Sequence, residues 1–338
     1  MSDFTSVTIY DVATLAGVSA MTVSRVLNTP SRVADATRER VQEAIDSLGY
    51  VPNTLARGLR SATRTLALIV PDISNPFFTG IVHGVEEVAW VNGYAIFLGN
   101  THSSAEQEAR YLQKFVGHGI DGLLIAASGD DAEHLLPDVS ARSVPIVLVD
   151  ALVEGVEADT VTSDNAAGAR ALTEHLLSLG HELIAFIGGR SDISTARERE
   201  RGYRQALQAR GLALRASYCH NTDFSREAAR EATRKLVQLD EPPTAIFAAS
   251  NTLAVGTVEA LRALRLRVPE DIALVCFEDL ELASALDPFL TVSAQPARDI
   301  GRVGTKFLLE RIENPNIAPR TSVLEPRLIV RRSCGSQA

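Results

Sequence analysis

Cysteine is scarce in this chain: Cys219, Cys276 and Cys334 are the three in 338 residues, too widely spaced for a metal knot or a disulfide framework. Lysine is equally rare, three residues against thirty arginines. No apolar run approaches bilayer-spanning length, and the N-terminus is polar and acidic instead of a charged leader before an apolar stretch. A cytoplasmic location is therefore expected. Catalytic signatures are missing as well: there is no GxxxxGK[ST] phosphate loop, no HExxH, no nucleophile elbow and no CxxC. The seven histidines are scattered and form no metal or nucleophile constellation. No catalytic residue, no metal site and no cofactor is expected.

What is present divides unevenly. The length allows two or three domains. Residues 1–64 carry seven arginines, no lysine and six acidic groups, a net charge of +1. The remainder holds 26 basic and 36 acidic residues, a net of −10. A mildly basic head on an acidic body implies that any nucleic-acid affinity comes from placement of arginines and from doubling in a dimer, not from bulk charge.

The head begins with TIYDVATLAGVSAMTVSRVLN, residues 8–28. Ile9, Val12, Ala13, Leu15 and Ala16 recur at helical spacing. Asp11 suits the positive end of a first helix, and Gly17 suits its left-handed close. Ser19 is a good N-cap for a second helix, whose buried face is Val23, Val26 and Leu27. Ala20, Met21, Thr22, Ser24 and Arg25 are left pointing outward. Two short helices across a tight turn read as a helix-turn-helix, which sets its second helix in the major groove. Arginine pairs with guanine, threonine and serine bond several groups, and alanine or methionine meets a thymine methyl. The same pattern also fits a plain two-helix hairpin in any small bundle.

TRERVQEAIDSLGYVPNTLARGLR follows at 37–60. Pro52 breaks a third helix, Asn53 caps a new one, and TLARGLR gives a turn or two too short to stand alone in water. Together the strings TIYDVA, LAGVS, TVSRVLN, TRERV, LGYVPN and LAR-L resemble the LacI/GalR family of bacterial transcriptional repressors, nearly without a gap over residues 8–60. The resemblance implies that Thr8 and Tyr10 approach the DNA backbone, that Ser19, Ala20, Met21, Thr22, Ser24 and Arg25 form the recognition surface, and that Asn28 helps close the second helix. It further implies that Asn53, Ala56, Arg57, Leu59 and Arg60 belong to a hinge helix ordered on operator DNA. There Leu59 would wedge between base pairs in the minor groove, and the arginines would meet phosphate or groove.

From about Thr65 the chain alternates β-rich runs with helical stretches. TLALIV, YAIFLG, GLLIAA and PIVLV form one series, ELIAFIGG, TAIFAAS and DIALVCF a second. Two such blocks predict two doubly wound parallel-sheet subdomains. The body resembles the periplasmic-binding-protein-like core of the same family. The expected division is a helix-turn-helix DNA-binding domain at 1–51, a hinge helix and linker at 52–64, and an effector-binding and dimerisation core at 65–338. Within that core an N-subdomain takes about 65–163 and 292–325, and a C-subdomain about 164–291 and 326–332. The fold class is thus an all-α head plus an α/β core.

Ligands bind outside the carboxyl ends of such strands. The loops there supply Asn75, Phe77 and Phe78; Asp150; Ser163, with Asp164 and Asn165; Arg197, in the run Ala196–Arg199; Ser250 and Asn251; Phe277 and Glu278, with Asp279; and Gln295. Aromatic rings, carboxylates, amides and an arginine suit a polyhydroxylated ligand. NPFF, SDN and ARER look most like the ribose-binding, sugar-recognising branch. A pentose or a nucleoside is the expected effector. Three positions depart from the family pattern: Asn251 replaces an aspartate, Glu278 stands where aspartate is usual, and Ala151 replaces an arginine. A sugar phosphate, or a phosphocarrier protein as corepressor, stays open beside the pentose. A sugar-binding protein or an enzyme without DNA function is the remote alternative.

The resemblance implies a homodimer on a pseudo-palindromic operator, with effector binding transmitted through the hinge. Whether the effector induces or corepresses is left open. Leu59→Ala is expected to weaken operator binding in a mobility-shift titration while leaving effector affinity in the isolated body unchanged; unchanged operator affinity would remove the wedge.

Overall fold

A computed structural model describes residues 8–48, 63–129, 144–280 and 289–336. The chain divides into two compact units, Met1–Thr63 and Arg64–Ala338. In the first, α1 (Ile9–Ala16), α2 (Ala20–Asn28) and α3 (Asp35–Leu48) enclose a small core. Val12, Ala13, Ala16, Val23, Val26, Val41, Ala44 and Ile45 fill it. Leu15 falls off that stripe and is exposed. The turn is built as its residues predict. Gly17 closes α1 in the left-handed region at φ 65°, and the Ser19 hydroxyl accepts from the Thr22 amide at 3.2 Å.

The second unit contains two six-stranded sheets. The first runs β11-β5-β4-β3-β1-β2, from β1 (Thr65–Val70), β2 (Ala95–Asn100), β3 (Gly122–Ile125), β4 (Ile146–Val149), β5 (Asp159–Ser163) and β11 (Thr321–Leu324), all parallel. The second runs β12-β10-β9-β8-β6-β7, from β6 (Ile184–Gly188), β7 (Cys219–Asn221), β8 (Ala245–Ala248), β9 (Ala273–Phe277), β10 (Thr291–Ala294) and β12 (Arg327–Ile329). It is parallel except for the antiparallel pair of β10 with β12. Both have helices on their faces, so their central strands are buried on both sides and read as continuous apolar runs.

Helices α4 (Pro76–Val91), α5 (Ala105–Gly117) and α10 (Ala297–Glu313) cover the first sheet. Helices α6 (Asn165–Ser178), α7 (Ser194–Ala209), α8 (Arg226–Val237) and α9 (Asn251–Ala263) cover the second. The chain crosses between subdomains three times: after Ser163, after Ala294 and after Leu324. The second crossing lies at the far end of the stretch expected for it, Leu290–Ala294, just past the boundary drawn at about 292. A return near residue 292 assigns most of β10 to the first subdomain, whereas Thr291, Val292 and Ser293 pair with β9. A four-residue strand carries no signal of which sheet it joins; its neighbours decide.

Several helix pairs approach closely enough to need glycine, α4 with α10 and α6 with α7 among them. A Cβ on Gly84 of α4 would overlap the Arg298 carbonyl of α10, and a Cβ on Gly202 of α7 would overlap the Ala166 carbonyl of α6. Gly117, in the last turn of α5, faces open space. Gly84→Ala and Gly202→Ala are each expected to lower unfolding free energy by roughly 1–3 kcal/mol in urea titrations, from overpacking. Gly117→Ala is expected to be neutral or to stabilise by up to about 1 kcal/mol.

Candidate functional site

On the head, α2 presents Met21 and Arg25 as one exposed strip: Met21 is 66% exposed, and an Arg25 guanidinium nitrogen lies 3.7 Å from its sulfur. Tyr10 is likewise exposed on α1. The other expected contacts are more engaged. The Thr22 and Ser19 hydroxyls meet at 2.9 Å, and Ser24 is half-buried. Thr8 donates to the Asp11 carboxylate from both its hydroxyl and its amide, each at 2.7 Å. Those bonds, the hydroxyl first, hold Asp11 below the usual carboxylate range. Ala20 is a correction: it packs half-buried against the head core, one residue past the cap, where α2 still faces α1. Asn53, Ala56, Arg57, Leu59 and Arg60 lie outside the described residues, as does the side chain of Asn28.

In the body, the carboxyl ends of the strands of both sheets converge on a cleft, and the subdomains close across it. The Asn251 amide donates to Asn75 Oδ1 at 2.8 Å, and the Leu152 amide donates to Ser194 Oγ at 2.8 Å. Asn75 is also the N-cap of α4, accepting from the Phe77 amide at 2.9 Å. Asp150 follows β4, and Glu278 follows β9, the corresponding third strands of the two sheets. Both have left-handed backbones, at φ 68° and 80°. For non-glycine residues this costs on the order of 1–3 kcal/mol.

Arg199 is the centre of the cluster. It is 2% exposed. Its Nε donates to Asn165 Oδ1 at 2.8 Å; one terminal nitrogen donates to the Ala249 carbonyl at 2.7 Å and to Glu278 Oε1 at 3.2 Å. Its guanidinium carbon lies 4.1 Å from the centroid of the Phe277 ring. Gln295 donates to the same Glu278 oxygen at 3.5 Å. Burial pushes the Asp150 carboxyl up to about 7; Arg199 opposes the shift and Glu278 reinforces it. Burial raises Glu278 too, against the pull of Arg199.

Three acceptors of this cluster are buried with no partner among the described residues: Asp150 Oδ1, Glu278 Oε2 and Gln295 Oε1. Each unsatisfied acceptor costs roughly 1–3 kcal/mol, more when charged, until a donor arrives. No metal-binding group of three or more His, Cys, Asp or Glu occurs among the described residues.

The structure brings Asn75, Asp150, Asn251, Glu278 and Gln295 together, and gives the others different places. Arg197 is the main correction. It is exposed on α7 and bonds the Ser191 carbonyl at 2.9 Å, while Arg199 occupies the cleft. The buried stripe of α7 is Thr195, Ala196, Arg199, Gly202, Tyr203 and Ala206. That three-four spacing selects Arg199 and was readable in the sequence. Phe277 is fully buried, supporting Arg199 from below. Phe77 belongs to the first-subdomain core, with Phe78 edge-on at 5.1 Å. Ser250 caps α9, and the Ser163 hydroxyl bonds the Leu324 carbonyl at the crossing. Asp279 pairs with Arg331 at 2.6 Å.

Arg199→Ala is expected to cost about 3–5 kcal/mol of stability, since it leaves buried Glu278 and Asn165 without their donor. Arg197→Ala, at the surface, is expected to stay within about 0.5 kcal/mol. Paired urea titrations decide; equal losses would contradict the assignment.

Comparison with known proteins agrees with this geometry. Residues 8–53 match the family model for bacterial regulatory proteins of the lacI family, and residues 173–334 match that for a periplasmic binding protein-like domain. The transcriptional repressor PurR of Photobacterium profundum is 34% identical over 329 residues, covering 96% of this chain and 98% of that protein. A solved complex of the transcriptional regulator CelR with cellobiose is 35% identical, with a TM-score of 0.73 over 97% of this chain and 99% of that one. The lac repressor dimer bound to operator and the anti-inducer ONPF is 27% identical, with a TM-score of 0.82 over 98% of this chain and 99% of that one. With a DNA-reading head, a two-sheet core and near full-length similarity to such regulators, the chain belongs to the lacI family of bacterial regulatory proteins.

Proposed function

We propose that this protein is a cytoplasmic, homodimeric transcriptional repressor whose operator affinity is set by a neutral polyhydroxylated effector, a pentose or a nucleoside, held in the cleft of the body. The observation that carries the effector class is the trio of partnerless buried acceptors, Asp150 Oδ1, Glu278 Oε2 and Gln295 Oε1. Such a set calls for a ligand that donates several hydrogen bonds, as the hydroxyls of a furanose do. It argues against a sugar phosphate. Two carboxylates face one guanidinium, and that guanidinium already serves Asn165, Ala249 and Glu278. Cellobiose in the CelR relative is a neutral polyol of the same chemical character.

The DNA side rests on α2. Its exposed Met21 and Arg25 differ in shape from one another, and each suits a base edge, a thymine methyl and a guanine respectively. A dimer places two such helices on half-sites related by twofold symmetry, and the lac repressor relative binds its operator as a dimer. Closing or opening the cleft shifts one subdomain against the other, and effector and operator affinities are then coupled reciprocally.

The reading is tested by thermal melting of the full chain with D-ribose, other pentoses, purine and pyrimidine nucleosides, and their phosphates. Neutral sugars or nucleosides are expected to raise the melting temperature by mass action, and to change operator affinity in fluorescence anisotropy, while the phosphates do neither. Stabilisation by phosphates alone would overturn the effector class.

A further inference from the structure

Two carboxylates and one guanidinium meet in the closed cleft, and geometry distributes them unequally. Glu278 holds Arg199 at 3.2 Å and accepts from Gln295. Asp150, 8% exposed, has a buried oxygen with no partner among the described residues. Its own carbonyl is tied to Thr162 Oγ at 2.7 Å and its amide to the Val161 carbonyl at 2.9 Å, so the side chain is held on a rigid backbone at the end of β4. The charged groups that face it are Arg199 from α7 and Glu278 from the end of β9. β5 presents neutral Val161 and Thr162, and the following segment presents Leu152, bonded to neutral Ser194. An ionised Asp150 would add a second buried negative charge beside a single guanidinium, whose Nε and one terminal nitrogen already serve Asn165, Ala249 and Glu278.

We propose that Asp150 carries a proton in the effector-free closed cleft and releases it when a ligand hydroxyl donates to its orphaned oxygen, so that effector binding is coupled to pH. This rests on the effector reading above and adds to it a regulatory property. Burial supports it by raising the Asp150 carboxyl to about 7, close to neutrality. A carboxylate that gains a donor has its charged form favoured, so the bound state ionises at lower pH than the free state. Affinity then rises with pH and levels above about 7. One proton and a free-state value of about 7 make affinity at pH 6 roughly tenfold weaker than at pH 8.

The proton on the free protein is tested without any ligand. A group raised from 3.8 to about 7 by folding destabilises the folded state progressively between those values as pH rises. Melting temperatures of the full-length wild type and Asp150→Asn are compared from pH 5 to 8.5. The variant's advantage is expected to widen up to about pH 7 and then stay level; a constant gap overturns the proposal. Should Asp150→Asn not fold, carboxyl-carbon NMR of aspartate-labelled wild type reads the same titration. One aspartate titrating near neutrality is expected, and all of them titrating in the ordinary range overturns it. Glu278→Gln removes the like charge and is expected to move that midpoint to lower pH. Release on binding is read by calorimetry with D-ribose and adenosine at pH 6 in phosphate and in Tris. Binding whose heat differs between the buffers by close to one proton supports the coupling, and measurable binding with equal heats overturns it. If neither probe binds, the pentose-nucleoside reading fails, while the melting comparison still decides whether Asp150 holds a proton.

Discussion

The guanidinium of Arg199 is the interaction on which the cleft depends. It reaches α6 through Asn165, the end of β8 through the Ala249 carbonyl, and the end of β9 through Glu278, with the Phe277 ring beneath it. A buried cation is tolerable only if its donors are met and its charge is balanced. Satisfying that demand fixes the relative positions of three elements of the second subdomain. It also turns Glu278 towards the first, where Asp150 waits at the corresponding strand end. The ligand chemistry follows from this: the cation satisfies one side of the carboxylate pair and leaves acceptors on the other.

The rest of the body serves to bring strand ends together. Close helix pairs, α4 with α10 and α6 with α7, set each helix layer tightly against its neighbour through glycines that no larger residue replaces without a shift. Crossing strands then join the two sheets, and the bonds Asn75–Asn251 and Leu152–Ser194 hold the cleft shut. The departures from the family's usual residues acquire a physical sense here. Asn251 donates across the cleft to an amide oxygen, which an aspartate cannot do, and Glu278 has the extra length to reach Arg199.

Much was legible in advance. The helix-turn-helix was readable because its cap, its left-handed glycine and its apolar spacing are local: Ser19, Gly17 and Val23 need only their near neighbours. The long apolar strands were readable because both of their faces are buried. The short strands were not. DTVTS is fully buried yet polar at every position but Val161, and TVSA joins whichever sheet its flanks reach. Among site residues, Asp150 and Glu278 were found from their place after a strand. Arg197 was taken from the ARER string on its likeness to the family pattern, without the helical spacing that buries Arg199 two residues on.

The sequence by itself determined the family, the two kinds of domain, and the loops from which the site is drawn, because those rest on periodicity and on residues adjacent in the chain. Tertiary structure alone decided which hydroxyls are consumed by caps and crossings, and which acceptors are left without a donor. These are questions of long-range proximity. Asn75 and Asn251 lie 176 residues apart yet share one hydrogen bond, and no local pattern announces a partner so distant.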